Sequence, residues 1–176
     1  MAPASDGRAR AGAARAAIRE ARPGDAADLA RIHVGAWWQT YRGILPMAAI
    51  AGRTEEDRRR LWARALRTRH TRIAIAPGLG FAQMGPQRDA SLFPDRPAEL
   101  WSLYVLRAGQ GRGLGGALMG EAQRLAGGAA FTTWVIDGNA GAERFYRRRG
   151  GRLLSERTIR MGGMPLRERA YGFPAA

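Results

Sequence analysis

The chain has 176 residues, no cysteine, two histidines, 45% hydrophobic content and a formal charge of +14. That length suits one domain burying roughly 70% of its unfolded surface; the lack of cysteine excludes disulfides, thiol catalysis and thiolate metal sites, and two isolated histidines do not suggest a metal cluster. All 29 basic residues are arginine, which reads first as a solvated arginine-rich surface, so nucleic acid is not the expected partner although anionic ligands are favoured.

Residues 1–16 are mostly alanine, glycine, arginine and proline and are expected to be a disordered tail before a single domain over 17–176. Met1 to Arg15 lacks the apolar core of a secretory leader, and no apolar run approaches the roughly 18 residues of a membrane span, so no membrane partner and a cytoplasmic location are expected. Ala17 to Ala21 reads as a short strand. Asp25 is a candidate helix cap, followed by Leu29, Ile32, His33 and Ala36 at helical spacing. His33 reads as a packed helix residue rather than a base. Trp37, Trp38 and Tyr41 continue or closely follow this helix, and aromatic residues at that spacing either pack between helices or line a pocket. Thr54 with Glu55, Glu56 and Asp57 opens a second helix to about Arg69, with Leu61, Trp62, Ala65 and Leu66 predicted to face inward and an arginine face outward. Arg72 to Ala76, the turn Pro77-Gly78, and Leu79 to Gly85 predict an antiparallel pair, followed by a polar loop from Pro86 to Pro97.

Ala98 to Val105 is the predicted central strand, and Ala117 to Leu125 extends an amphipathic helix with Leu114, Leu118, Ala122 and Leu125 on one face. Between them lies Gln110-Gly111-Arg112-Gly113-Leu114-Gly115-Gly116. A glycine-rich turn from strand to helix exposes unpaired N–H groups at the positive end of a helix dipole, and the missing Cβ atoms let an anion touch main chain. No Gly-Lys-Ser/Thr is present, and the glycines do not fall in the Gly-x-Gly-x-x-Gly register, so the two commonest phosphate loops are not matched. A second strand over 129–136, Asp137-Gly138-Asn139, and a helix from Ala140 to Arg149 carrying Phe145-Tyr146 come next, then Gly150-Gly151. Strand, crossover helix and strand predict a right-handed parallel unit. Arg152 to Ile159 and Pro165 to Tyr171 read as a closing hairpin. The predicted fold class is α/β, a mixed sheet with an antiparallel first half and a parallel join in the middle.

Gln110-x-x-Gly113-x-Gly115 after a strand resembles the acetyl-CoA loop of the GNAT family of N-acetyltransferases. The strand–Asn139–helix–Phe145-Tyr146–Gly150 block resembles the family's next block. Trp37 to Pro46 is similar to its first-helix block. Together the likeness runs over residues 17–173.

The resemblance implies a GNAT fold with two splayed parallel strands, acetyl-CoA as cosubstrate, and acetyl transfer to a primary amine by direct attack in a ternary complex. It implies that Leu103, Tyr104 and Val105 hold the pantetheine arm, that Gln110, Gly111, Arg112, Gly113, Leu114, Gly115 and Gly116 hold the pyrophosphate, and that Asn139 contacts the cofactor or caps its helix. It further implies Tyr146 as the acid beside the leaving sulfur, Glu99 as general base directly or through water, and Trp37 and Tyr41 as the acceptor's wall. Glu99 reads equally as a strand-end carboxylate paired with an arginine, and Tyr146 as a packing residue. Gly150-Gly151 departs from the family's Gly-Phe. A small-molecule amine is the expected acceptor and a peptide the other; a homodimer through the C-terminal strands is left open. The reading from another class is a non-catalytic acyl-CoA-sensing or nucleic-acid-binding module.

Overall fold

In the computed structural model the described residues are 18–161 and 163–176. The expected tail over 1–16, the first residue of the expected first strand and Gly162 lie outside them. Seven strands form one mixed sheet in the order β1-β2-β3-β4-β5-β7-β6. The strands are β1 (Arg19–Glu20), β2 (Arg72–Ala76), β3 (Gly80–Pro86), β4 (Ala98–Val105), β5 (Phe131–Ile136), β6 (Arg152–Met161) and β7 (Met164–Phe173). The helices are α1 (Ala26–Tyr41), α2 (Met47–Ala51), α3 (Glu55–Thr68), α4 (Leu114–Leu125) and α5 (Ala140–Arg148). Every neighbouring pair is antiparallel except β4 and β5. The predicted parallel join is therefore present, and α4 is its crossover.

One face of the sheet packs on α4 and α5 through Ala74, Ala82, Leu100, Leu118, Phe131, Val135 and Tyr171. The other packs on α1 and α3 through Leu29, Ile32, Trp62, Ile75 and Phe81. β2 and β3 are buried on both faces, which explains their near-continuous apolar runs. A smaller cluster of Trp37, Tyr41, Leu45, Ile50 and Ile136 joins the end of α1 to α2 and β5.

Local signals explain most boundaries. Thr54 caps α3, its hydroxyl accepting the Asp57 N–H at 3.1 Å. Asp25 does not cap α1; its carboxylate takes the Arg22 N–H at 2.7 Å and the Arg19 guanidinium, anchoring β1 instead. Leu61, expected inside, is 44% exposed, because the inward stripe of α3 runs through Trp62 and the partly buried Ala65 and Leu66. The five-residue α2 was not predicted; it follows Pro46, which is its N-cap.

Gly150-Gly151 has a packing explanation. A Cβ on Gly151 would lie 2.7 Å from the Phe173 ring and 2.9 Å from the Tyr146 carbonyl oxygen. Phe173, stacked on Phe131 at 4.7 Å between centroids, fills the space from β7.

Candidate active site

β4 and β5 pair over only two positions, Ala98 with Phe131 and Glu99 with Thr132. The Thr133 hydroxyl then donates to the Leu100 carbonyl at 3.0 Å, a side chain replacing the next ladder bond. Beyond it the strands part. Leu103, Tyr104 and Val105 keep strand partners only on the β3 side, opposite Ala82, Phe81 and Gly80. Unpaired main-chain groups on the open side are costly without a ligand or water, and this is where the fold leaves them. The Val105 carbonyl accepts the Gln110 side-chain amide at 2.8 Å, so Gln110 ties the strand end to the loop that follows.

The opening is a cleft of about 780 Å³. Leu103 to Val105 form one wall, and Gln110, Gly111 and Gly113 to Gly116 another. Asn139, Phe145 and Tyr146 face them from α5 and its start, and Tyr41 comes from the end of α1. Gly111 and Gly113 have φ of 75° and 77°, a left-handed conformation that side chains resist. Gly113 is the N-cap of α4 and has no side chain to cap with. The first-turn N–H groups of α4 are thus left for a ligand at the helix's positive end. Arg107, Arg148 and Arg149 line the same cleft, and the Arg149 guanidinium lies where a Cβ on Gly116 would be. Uncapped amides, a positive helix end and three guanidinium groups suit a diphosphate, and the open strand edge suits an amide-bearing arm. The residues present therefore fit acetyl-CoA.

Tyr146 lies on this wall and is 6% exposed. Its ring is held by Phe145, Phe173 and Tyr171, with centroids 5.1, 6.0 and 6.3 Å away. Burial raises its phenol above the ordinary range, with Thr133 beside it pulling the other way and Tyr41 adding a smaller rise. The hydroxyl therefore stays protonated and able to donate across the neutral range. Asn139 caps α5, its side-chain oxygen accepting the Ala142 N–H at 3.1 Å, and it also stands beside the Tyr41 phenol.

Glu99 is placed differently from the residues above. It is fully buried at the paired end of β4 and is not part of the cleft lining. Its carboxylate accepts the Arg88 N–H at 3.1 Å and the Arg88 guanidinium, whose side chain is 53% exposed. Trp37 is also behind the wall, 4% exposed and packed on Tyr41 at 4.2 Å between centroids. Arg112 is exposed and outside the lining. Sequence reasoning missed Thr133, Arg107, Arg148 and Arg149. The run Arg147-Arg148-Arg149 at the end of the tyrosine helix was the available signal, since only the fold shows it returning to the α4 N-terminus.

Comparison with known proteins gives matching results. The model of the acetyltransferase (GNAT) family matches residues 31–151. An uncharacterized N-acetyltransferase of Bacillus subtilis (strain 168), YuaI, is 28% identical over 166 residues, covering 89% of this chain and 92% of that protein. Among solved structures, a GCN5-related N-acetyltransferase from Rhodopseudomonas palustris superposes with a TM-score of 0.67 at 24% identity, covering 91% of this chain and 95% of that one. YncA from Salmonella typhimurium, solved with its cofactor acetyl-CoA, has a TM-score of 0.64 at 19% identity, covering 89% of this chain and 92% of its own.

Proposed function

The chain belongs to the acetyltransferase (GNAT) family as an acetyl-CoA-dependent N-acetyltransferase, and from that premise we propose that it acetylates a primary amine of a small molecule by direct attack in a ternary complex. The observation that carries the reading is the parting of β4 from β5 beside an uncapped helix start, with Tyr146 on the wall between them.

When bound, acetyl-CoA supplies an activated acetyl thioester. The free edge at Leu103 to Val105 holds and aligns the arm that carries it, and the α4 amides with Arg148 and Arg149 hold the phosphates. Tyr41 and Asn139 border the same space and confine the incoming amine. Tyr146 donates a hydrogen bond to the departing sulfur. Its raised phenol opposes outright transfer to a thiolate, since thiols of the cysteine type ionise near about 8.5, so the hydrogen bond itself is the contribution. Glu99 receives the amine's proton through water. The four steps from Glu99 to Leu103 cover about 13 Å of extended strand, and Glu99 is buried off the cleft wall, so a chain of waters rather than direct contact would carry the proton. Both of its oxygens accept hydrogen bonds from Arg88, whose side chain is largely exposed.

The test is thiol release from acetyl-CoA by the purified protein against a panel of amines. Turnover with small primary amines supports the reading. Release with protein lysines or peptide N-termini alone would replace the acceptor class. CoA binding without release on any amine would leave a non-catalytic acyl-CoA sensor.

A further inference from the structure

Behind the Tyr41–Tyr104 wall of the cleft, between α1 and the start of α3, positive charges collect beside polar side-chain atoms that have no hydrogen-bond partner. The Arg53 guanidinium lies 3.6 Å above the Trp37 ring, and one of its nitrogens donates to the Ala49 carbonyl at 2.9 Å. Arg58 sits one turn before the buried Trp62, on the inward side of α3. His33 stacks on Tyr104 at 4.8 Å and approaches Trp62 at 5.7 Å. Arg58 Nε, Trp37 Nε1 and His33 Nδ1 are all buried with no hydrogen-bond partner.

The charges are equally unmatched. Arg53 and Arg58 are half-buried, and neither joins an ion pair among the described residues. By contrast, Arg59 and Arg60, their exposed neighbours, share Glu56 at 2.9 and 2.8 Å. Arg58 directly follows Glu55, Glu56 and Asp57 at the start of α3 yet pairs with none of them. Two partly desolvated guanidinium groups with no counter-charge, set among unpartnered polar atoms, form a place that an anion would stabilise.

We propose that this cluster of side chains seats a carboxylate of the acceptor, making the acceptor an amino acid or a close analogue whose amine reaches the cleft at Tyr41 and Tyr104. A planar carboxylate suits a guanidinium lying flat on an indole, because it accepts two parallel hydrogen bonds in the guanidinium plane. The fate of the amine rests on the acetyl-transfer reading above; the seat for the carboxylate does not.

The test uses the full chain with saturating CoA or acetyl-CoA. The probes are the proteinogenic amino acids, each beside its carboxamide, together with ethanolamine phosphate. Binding is followed by calorimetry and turnover by thiol release. The expected result is a preferred amino acid whose KM lies about tenfold or more below that of its amide, since the amide leaves the guanidinium groups without a counter-charge. Arg53→Met and Arg58→Met keep the packing of the stem and should each raise that KM about tenfold or more, with kcat and the amide's KM within about twofold, and Arg53→Lys should recover part of the loss. The acid–amide comparison on the unaltered protein decides the matter even if a variant folds poorly. Equal use of acid and amide, equal effects of the variants on both, a preference for the phosphate, or no binding of any probe would overturn the proposal. Thiol release with neutral amines alone would overturn it while leaving acetyl transfer standing; binding of amino acids without release would do the reverse.

Discussion

Tyr146 and Glu99 were named from the same resemblance, yet their surroundings ask different things of them. Tyr146 is fixed by three aromatic rings on the cleft wall, so removing its hydroxyl changes chemistry without changing shape. Tyr146→Phe should lower kcat by about tenfold to a hundredfold while leaving CoA affinity within about twofold. Steady-state kinetics paired with calorimetry checks this, and unchanged turnover removes Tyr146 as the donor. Glu99→Gln separates two roles. A relay base predicts a loss of about a hundredfold in kcat at neutral pH that shrinks as pH rises and free amine accumulates. A carboxylate that only anchors Arg88 predicts lower thermal stability with kcat nearly intact. The sequence placed both residues on the right elements, because strand and helix periods locate a residue along its own segment. It could not show that Arg88, 11 positions away across a loop, would close on Glu99, nor that Trp37 would sit behind Tyr41.

Elements rather than residues make the binding site, and its two halves differ in how they are encoded. The α4 start is local: Gly111 and Gly113 supply left-handed backbone, and the absence of a capping side chain leaves the amides free. Gly113→Asp should therefore abolish CoA binding. The new carboxylate would sit at the N-cap, satisfy the first-turn amides itself and repel phosphate, on a backbone with φ of 77° that resists a side chain. Calorimetry showing unchanged affinity would mean that the loop does not hold the diphosphate. The parting of β4 from β5 is nonlocal. It depends on Thr133 reaching Leu100, and on β7 pairing with β5 along all of Phe131 to Ile136 while β4 follows β3. No spacing in the chain announces that division; the strands were legible, their divergence came only through family likeness. Phe173 is a similar case, since a residue at the end of β7 fills the gap that Gly151 leaves. Phe173→Ala should cost about 3–5 kcal/mol in denaturant unfolding and loosen Tyr146 as well.

For the molecule as a whole, the excess of arginine over carboxylate sets how stability responds to acid. Formal charge is already +14 at pH 7 and rises as carboxylates protonate, so self-repulsion grows on acidification. His33 adds a term that can be isolated from this background. It is 9% exposed among Tyr104, Trp62 and Phe81, and its basicity is pushed down to about 4, first by burial and then by Arg58 and Arg53. In the unfolded chain the imidazole binds a proton at its ordinary pKa of about 6.5. Between pH 6.5 and about 4 the unfolded state therefore holds a proton that the native state refuses, and acid favours unfolding; below about 4 both states carry it and the term stops growing. The full stabilisation is present above pH 6.5 and amounts to about 3 kcal/mol as an upper figure. His33→Phe keeps a ring on Tyr104 and removes the titration. Urea unfolding at several pH values should show the unaltered protein losing more stability than the variant from pH 6.5 to 4, and equal losses below 4. Parallel curves throughout would mean that His33 charges as readily in the native state as in the unfolded one. An anion seated against Arg53 and Arg58 would also weaken their repulsion of the imidazolium, so binding of a carboxylate should raise the lower edge of this window and narrow it, the upper edge staying at the unfolded-state value.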